Sequence, residues 1–442
     1  MGDLRSIRGP ARRRELAAAS VGNVVELFDW LLFASLAPYF AGALFPGEDP
    51  VAGLIYAYAV FAVGFVFRPL GAAVMGRVVD RRGRRFALLL SIAVTSLAAL
   101  VIAVTPDYAT IGIAAPIVVV LARLAQGLTI SGEQSAAGTY LLEMAPPRHR
   151  FLFGAVSMAA VSVGQLLTLA CVAALLVVYG PDGVAEGGWR LGFVACAVLG
   201  LVALMIRRLA PESEVFTERV ATQRPPQLPI LRRHKRQLLA VFLTIAPTSM
   251  GLYFVTAYLP VFFDQAGIAD KASISGQLPL LTLYLIAVIT LTGPVADRFG
   301  GLRVARIGNA LLAVVTVPVI VAVTSGALPV VAGLLVYLTG LGIITAPVTV
   351  IGVSLFPAVV RGVGAGIPTA VSVVLFGGTF PLVAQSLTAA GNADLVPWLV
   401  GLGALLGFCG TVLARTSDIE RSLAADGLPA DRVVTGSDGG AV

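Results

Sequence analysis

A chain of 442 residues that is 57% hydrophobic and only 12% charged, with a mean hydropathy of +0.91, has more apolar surface than a water-soluble fold needs. The formal net charge of +7 does not point to nucleic acid, because the arginines recur in alternate loops between apolar segments. The composition therefore calls for a helical protein whose partner is the lipid bilayer.

Twelve apolar segments are each predicted to cross the membrane as a helix of about 20 residues or more. The first, 17–44, carries Glu26 and Asp29 three residues apart and so on one helical face, with Asn23 preceding them on the same side. The second, 52–76, carries Arg68 beside Pro69 and Gly71. A charged turn follows, made of Gly76, Asp80, Arg81, Gly83, Arg84 and Arg85. The third span is 86–105. The fourth, 109–141, holds Arg123, Gln126 and Glu133 within about 80° of one another at 100° per residue.

The fifth, 151–179, contains Gln165, and the sixth is 189–209. The polar stretch 210–236 then separates six spans from six. The seventh, 237–263, contributes Thr248, Ser249, Tyr253, Thr256 and Tyr258, of which the two tyrosines combine an apolar body with a polar tip. Tyr284 lies in the eighth, 273–296, and a second, degenerate copy of the charged turn follows at Gly293, Asp297, Arg298, Gly300 and Arg303. Spans nine to twelve are 303–324, 327–356, 362–390 and 395–414. Gly377, Gly378 and Pro381 mark a bend in the eleventh. The tail 415–442 is polar and lacks heptads, and reads as disordered.

The repeated turn predicts an internal duplication, with an N-terminal six-helix bundle over 1–209 and a C-terminal one over 237–414. Basic residues cluster at 77–85, 148–150, 207–235, 298–306 and 361. Acids dominate the intervening loops at Glu48, Asp49, Asp107, Asp182, Glu186, Asp270 and Asp394. The positive-inside rule then places both termini and the 210–236 loop in the cytoplasm of a multi-pass inner-membrane protein. The long first apolar segment reads as a span rather than a cleavable leader.

Charges inside spans cost about 2.5–3.5 kcal/mol each on insertion scales, so they face a cavity or a partner. Glu26, Asp29 and Arg123 lie nearest the expected midplane, where a transporter places its site. His149 and His234 are the chain's two histidines and both fall in loops, which excludes a histidine relay within the membrane. A carboxylate, Glu26 or Asp29, working against Arg123 is then the expected proton-coupling device.

Arg123, Arg68, Gln126, Asn23, Gln165, Tyr253 and Tyr258 are the candidates for substrate binding, since guanidinium matches the two oxygens of a carboxylate. Arg68 suits a structural ion pair equally well, and a single hydroxyl in a span often bonds only its own backbone. Glu133 suits a gate or a packing role. Cys171, Cys196 and Cys409 all lie within spans and read as small apolar packing, with neither a disulfide framework nor a metal site. No phosphate-binding loop, metal cluster or nucleophile–base pair appears. The chain is accordingly expected to be neither an enzyme nor an ATP-driven pump, and to need no cofactor beyond the proton gradient.

Specific strings resemble a known family. The first turn, Gly76 to Arg85, resembles the loop signature of the major facilitator superfamily. Gly22 to Trp30, Phe67 to Gly71, Arg123 to Glu133, Glu143 to Arg150, Gly188 to Arg190, Glu212 to Phe216 and Phe376 to Leu382 are similar to its metabolite:proton symporter branch. That branch includes permeases for 2-oxoglutarate, citrate, shikimate, proline and betaine. The resemblance implies the twelve-helix major facilitator fold, alternating access, and uptake of a small carboxylate or zwitterion with protons by a monomer. The turn residues, with Asp80 facing Arg81, Arg84 and helix ends, and with Asp297 and Arg298 in the second copy, would act as a gating latch.

This chain departs from the pattern in three places. Gly301 and Leu302 replace paired arginines in the second turn, Ala370 stands where many relatives have Asn, and Phe151 follows Arg150 where Gly is usual.

Two other functions remain compatible with such a chain. An efflux antiporter on the same fold is one, although the fifth span lacks the Gly-Pro motif of drug exporters. A membrane sensor that binds without transporting is the other, although a short tail without heptads gives it no signalling domain.

Overall fold

The computed structural model describes residues 10–46, 49–82, 84–129, 145–209, 231, 233–358 and 360–425, and among them there is no strand. In chain order the helices are α1 Pro10–Leu44, α2 Pro50–Val66, α3 Arg68–Arg82, α4 Arg84–Val104, α5 Tyr108–Ile111, α6 Ala114–Thr129, α7 Arg150–Gly183 and α8 Trp189–Leu209. After the 210–236 stretch come α9 Lys235–Tyr253, α10 Leu259–Gln265, α11 Lys271–Phe299, α12 Gly301–Thr324, α13 Val330–Ser354, α14 Arg361–Ser372, α15 Phe380–Ala389, α16 Val396–Leu413 and α17 Thr416–Ala425.

Nine stretches of the described residues are long and apolar enough to cross a membrane, and Pro50–Val66 and Ala114–Thr129 are shorter apolar helices. One of the nine, Arg150–Ile206, runs for 57 residues. It is two crossings, because Gly180 at φ 69° before Pro181, and Gly187 at φ 157° in a π turn, reverse the chain. With that stretch counted as two, and the two shorter helices added, twelve crossings result, as the hydropathy predicts. Leu280 and Leu291 of α11 and Val314 of α12 are each 71% exposed. Apolar side chains so open to the surroundings fit lipid and not water.

The chain divides into two compact units, Met1–Ser131 with Ala174–Arg224, and Gly132–Ala173 with Pro225–Val442. In the first, α1 is enclosed by α2, α4 and α8, and α6 packs on α2, α3 and α4. Its core is aromatic: Trp30, Phe33, Phe40, Phe61, Phe65, Trp189 and Phe193 meet edge-on or tilted at 4.5–6.2 Å, apart from a stacked Phe33–Phe61 pair at 6.3 Å. Glycines set the approach of the second and fourth crossings. A Cβ on Gly127 would strike the Gly64 carbonyl, and one on Gly71 the Gly127 carbonyl, so backbone lies on backbone.

In the second unit α9 and α16 pack most closely, because Gly403, Gly407 and Gly410 of α16 leave room for Met250, Pro247 and Thr244. The tail differs from expectation. Residues 416–425 form α17, in which Asp418, Ile419, Ser422 and Leu423 are buried. Ile419 and Leu423 join a core that includes Leu231, Val241, Phe356 and Val360, and Asp418 pairs with Arg236 and Arg421. Two apolar residues four apart suffice to dock one short helix, a pattern too brief for a heptad test to register. Residues 426–442 lie outside the described part.

Candidate functional site: a buried Asp–Arg pair in the first unit

Asp29 points from α1 toward α6 and α8. Its Oδ2 accepts from Arg123 Nη1 at 2.8 Å, and its Oδ1 accepts from Gln126 Nε2 at 2.9 Å. Arg123 and Gln126 can both reach one carboxylate because they lie three apart on α6. All three side chains are 0% exposed. Cys196 Sγ, from α8, lies 3.7 Å from Asp29 Oδ1. Gln126 Nε2 also lies 3.4 Å from the Thr95 carbonyl oxygen, linking α6 to α4.

The guanidinium of Arg123 lies over the Phe33 ring at 3.9 Å and near Trp30 at 5.4 Å. Arg68 lies over Phe65 at 3.9 Å and over Trp30 at 4.3 Å, so the two arginines share one indole. Arg68 opens α3 after the chain leaves α2 at Phe67, a break set by Pro69, which has no N–H to continue the ladder. Among the described residues Arg123 Nε and Nη2 and Gln126 Oε1 make no hydrogen bond.

The other sequence candidates lie on several elements. Glu26 is part-buried one turn before Asp29, and the carboxylate paired with Arg123 is Asp29. The Asn23 side chain lies outside the described part, as do Glu133 and Gly83. For Gly76, Asp80, Arg81, Arg84 and Arg85 the structure describes helical backbone alone. Gln165 is buried on α7. Tyr253 packs against Gly377, where a Cβ would come within 2.8 Å of its ring. Tyr258 is fully buried: its hydroxyl donates to the Ala384 carbonyl at 3.2 Å and pairs with Thr388 Oγ1 at 2.7 Å. The expected bend in the eleventh span is a π turn, Val373–Gly378, with Pro381 in the first turn of α15.

In the second turn motif Asp297 caps a helix. Its Oδ1 accepts from the Phe151 backbone N–H at 2.8 Å and its Oδ2 from that of Leu152 at 3.0 Å, so a carboxylate sits at the N-terminus of α7. Arg298 is exposed and lies over Phe299. The Phe151 ring occupies the place that a Cβ on Gly301 would take.

Three features escaped the sequence reading. Cys196, taken as apolar packing, touches the buried carboxylate. Arg190 donates through Nη1 to the carbonyls of Ala103 and Thr105 and through Nη2 to Asp107, closing the end of α4. Gln385 is fully buried, with neither amide atom hydrogen-bonded among the described residues. The adjacent Trp189–Arg190 pair was the available signal for the second feature. The Cys196 contact joins segments far apart in the chain.

Residues 19–378 match the Major Facilitator Superfamily. The chain belongs to that superfamily. It is 33% identical to the alpha-ketoglutarate permease of Escherichia coli (strain K12), over 90% of this chain and 93% of that protein. It is 30% identical to the citrate-proton symporter of Salmonella typhi, over 89% and 91% respectively. The fold is similar to the crystal structure of a D-xylose-proton symporter, with a TM-score of 0.71 and 19% identity, covering 97% of this chain and 99% of that one. This major facilitator is thus a multi-pass membrane transporter and not an enzyme.

Proposed function

We propose that this chain takes up a small carboxylate together with protons by alternating access, with Asp29 as the proton carrier and Arg123 as the cation it controls. The observation that carries the reading is the fully buried Asp29–Arg123 pair. Its burial is expensive, since each desolvated ion costs several kcal/mol, and the attraction between the partners offsets that cost only while both are charged. At an effective dielectric of about 20, charges about 4 Å apart attract by about 4 kcal/mol.

Protonation of Asp29 removes that attraction and leaves Arg123 as an uncompensated cation over the rings of Phe33 and Trp30. A substrate carboxylate then becomes its replacement counter-ion, received by the guanidinium donors as two parallel hydrogen bonds. Proton and substrate thereby favour each other's binding, which is the thermodynamic content of symport. The names of the two relatives, a permease for alpha-ketoglutarate and a symporter for citrate, support a carboxylate as the cargo. The protein would act as a monomer in the inner membrane, and its loop arginines suggest that both termini are cytoplasmic.

The test is uptake of labelled 2-oxoglutarate and citrate into cells that express the chain, with and without a protonophore. Accumulation of one of them that collapses with the protonophore is expected. Accumulation that survives the protonophore, or accumulation of neither acid with the protein present in the membrane, would overturn the proposal.

A further inference from the structure

Gln126 has more capacity for hydrogen bonding than its contacts use. Its Nε2 donates to Asp29 Oδ1 at 2.9 Å, while its Oε1, buried with the rest of the side chain, accepts nothing among the described residues. A carboxylate can only accept hydrogen bonds. The same group as a neutral acid must place one O–H, and in a dry interior an unplaced O–H costs as much as any lost buried hydrogen bond.

Among the described residues the other groups hydrogen-bonded to the carboxylate are donors or, in the Cys196 sulfur, only a weak acceptor. Arg123, the cation facing Asp29 from α6, has only donors, and Cys196 of α8 approaches with its thiol. From α4 the Thr95 carbonyl oxygen faces Gln126 Nε2 at 3.4 Å. The α2 sequence carries no ionisable group other than Tyr56 and Tyr58. Arg68 of α3 stands over Trp30, and Glu26 lies one turn back on α1 itself.

We propose that Gln126 is a positioning residue whose side-chain amide turns over when Asp29 is protonated, donating through Nε2 to the carboxylate and accepting through Oε1 from the acid. This inference rests on the reading of Asp29 as the proton carrier. The step needs only the incoming proton: it adds to Asp29 Oδ1, the Gln126 N–H···O bonds to Asp29 and to the Thr95 carbonyl break, and an Asp29 O–H···O bond to Gln126 forms. The terminal torsion of Gln is broad and nearly two-fold, so a turn of about 180° exchanges two atoms of similar size without repacking. Before the turn Oε1 is unpaired, and after it Nε2 takes that place; the turn gives up the 3.4 Å contact from Nε2 to the Thr95 carbonyl, the longer of its two, in exchange for placing the acid O–H. A purely apolar side chain would strand the acid proton.

Infrared difference spectra between high and low pH, taken on the full chain in lipid with glutamine 13C-labelled at its side-chain carbonyl, test this directly. On acidification we expect a carboxylic-acid band that is absent in Asp29→Asn. We also expect a shift of one amide carbonyl band to lower frequency, absent in Gln126→Met, which keeps length and packing. Gln126→Asn, whose amide is one carbon short of Asp29, is expected to lose that shift too and serves if Gln126→Met fails to assemble. An Asp29 acid band with no accompanying shift assigned to Gln126 would overturn the inference and leave the proton-carrier reading standing. Absence of any acid band assigned to Asp29 would overturn both.

Discussion

At Asp29 and Arg123 each charge is tolerated because the other is there, and this makes the effects of substitution unequal. Arg123→Gln leaves the Asp29 carboxylate buried without its cation, a loss of about 3–5 kcal/mol when one partner of a buried pair is removed. Asp29→Asn with Arg123→Gln removes both charges and is expected to recover most of that stability, because neighbouring groups do not add independently. Thermal unfolding of the three purified proteins checks it: equal losses in the single and double variants would show that the pair does not set stability. For function the expected order differs. Asp29→Asn should exchange labelled 2-oxoglutarate or citrate across the membrane while failing to accumulate it against a gradient, as counterflow and net uptake measured side by side would reveal.

Helical periodicity made this part of the site legible, since Arg123 and Gln126 follow from spacing within one helix. The Asp29–Arg123 partnership was anticipated as one of two choices, with Glu26 the other. Cys196 was not legible, because its contact with Asp29 spans 167 positions and exists only once α8 packs on α1.

Among the elements, the start of α7 brings together two departures from the family pattern that look unrelated in sequence. Phe151 stands where Gly is usual, and Gly301 stands where paired arginines begin. In the structure the ring of the first fills the space over the second, beside Gly293, whose missing Cβ admits Leu152 and Ala155. The second departure therefore makes room for the first, and the first fills it.

Gly301→Arg alone is expected to collide with Phe151 and lower stability by about 1–3 kcal/mol, in the range of overpacked cores. Adding Phe151→Gly should restore membrane abundance and unfolding temperature toward the parent values. A double variant no better than Gly301→Arg would break the link between the two positions. Asp297 keeps its role in either case, because it acts on the Phe151 and Leu152 backbone N–H groups and not on a side chain. The sequence points to Asp80 as a latch against Arg81, Arg84 and helix ends, and its side chain lies outside the described part. It is at Asp297, in the copy that looked weaker because it lacks arginines, that the described side chain makes these contacts. A helix N-terminus needs only a carboxylate.

For the whole molecule, hydropathy and charge placement convey the twelve crossings because lipid demands long apolar helices and does so one segment at a time. They convey little about segments held by protein rather than by lipid, and α17 is the clearest case. Thr416–Ala425 is polar by composition, yet Ile419 is 1% exposed and Leu423 0%. Asp418 pairs with Arg236 at the start of α9, and Arg306 of α12 donates to the carbonyls of Thr411 and Ala414 just before the helix begins. Three segments far apart in sequence thus converge on the end of α16.

Full burial of one Ile and one Leu is worth about 1.5–3 kcal/mol each, to which the loss of Asp418 would add the cost of leaving Arg236 without its acid. Ending the chain after Ala414 is therefore expected to destabilise the second unit by several kcal/mol, an amount comparable with the whole stability of many domains. Ile419→Ala with Leu423→Ala should reproduce most of the effect with the backbone intact. The comparison to make is the unfolding temperature of the full chain, the shortened chain and the double alanine variant in one detergent. Coincident melting curves would mean that α17 merely rests on the bundle, whereas a large drop shared by both altered proteins would make it part of the transporter's fold.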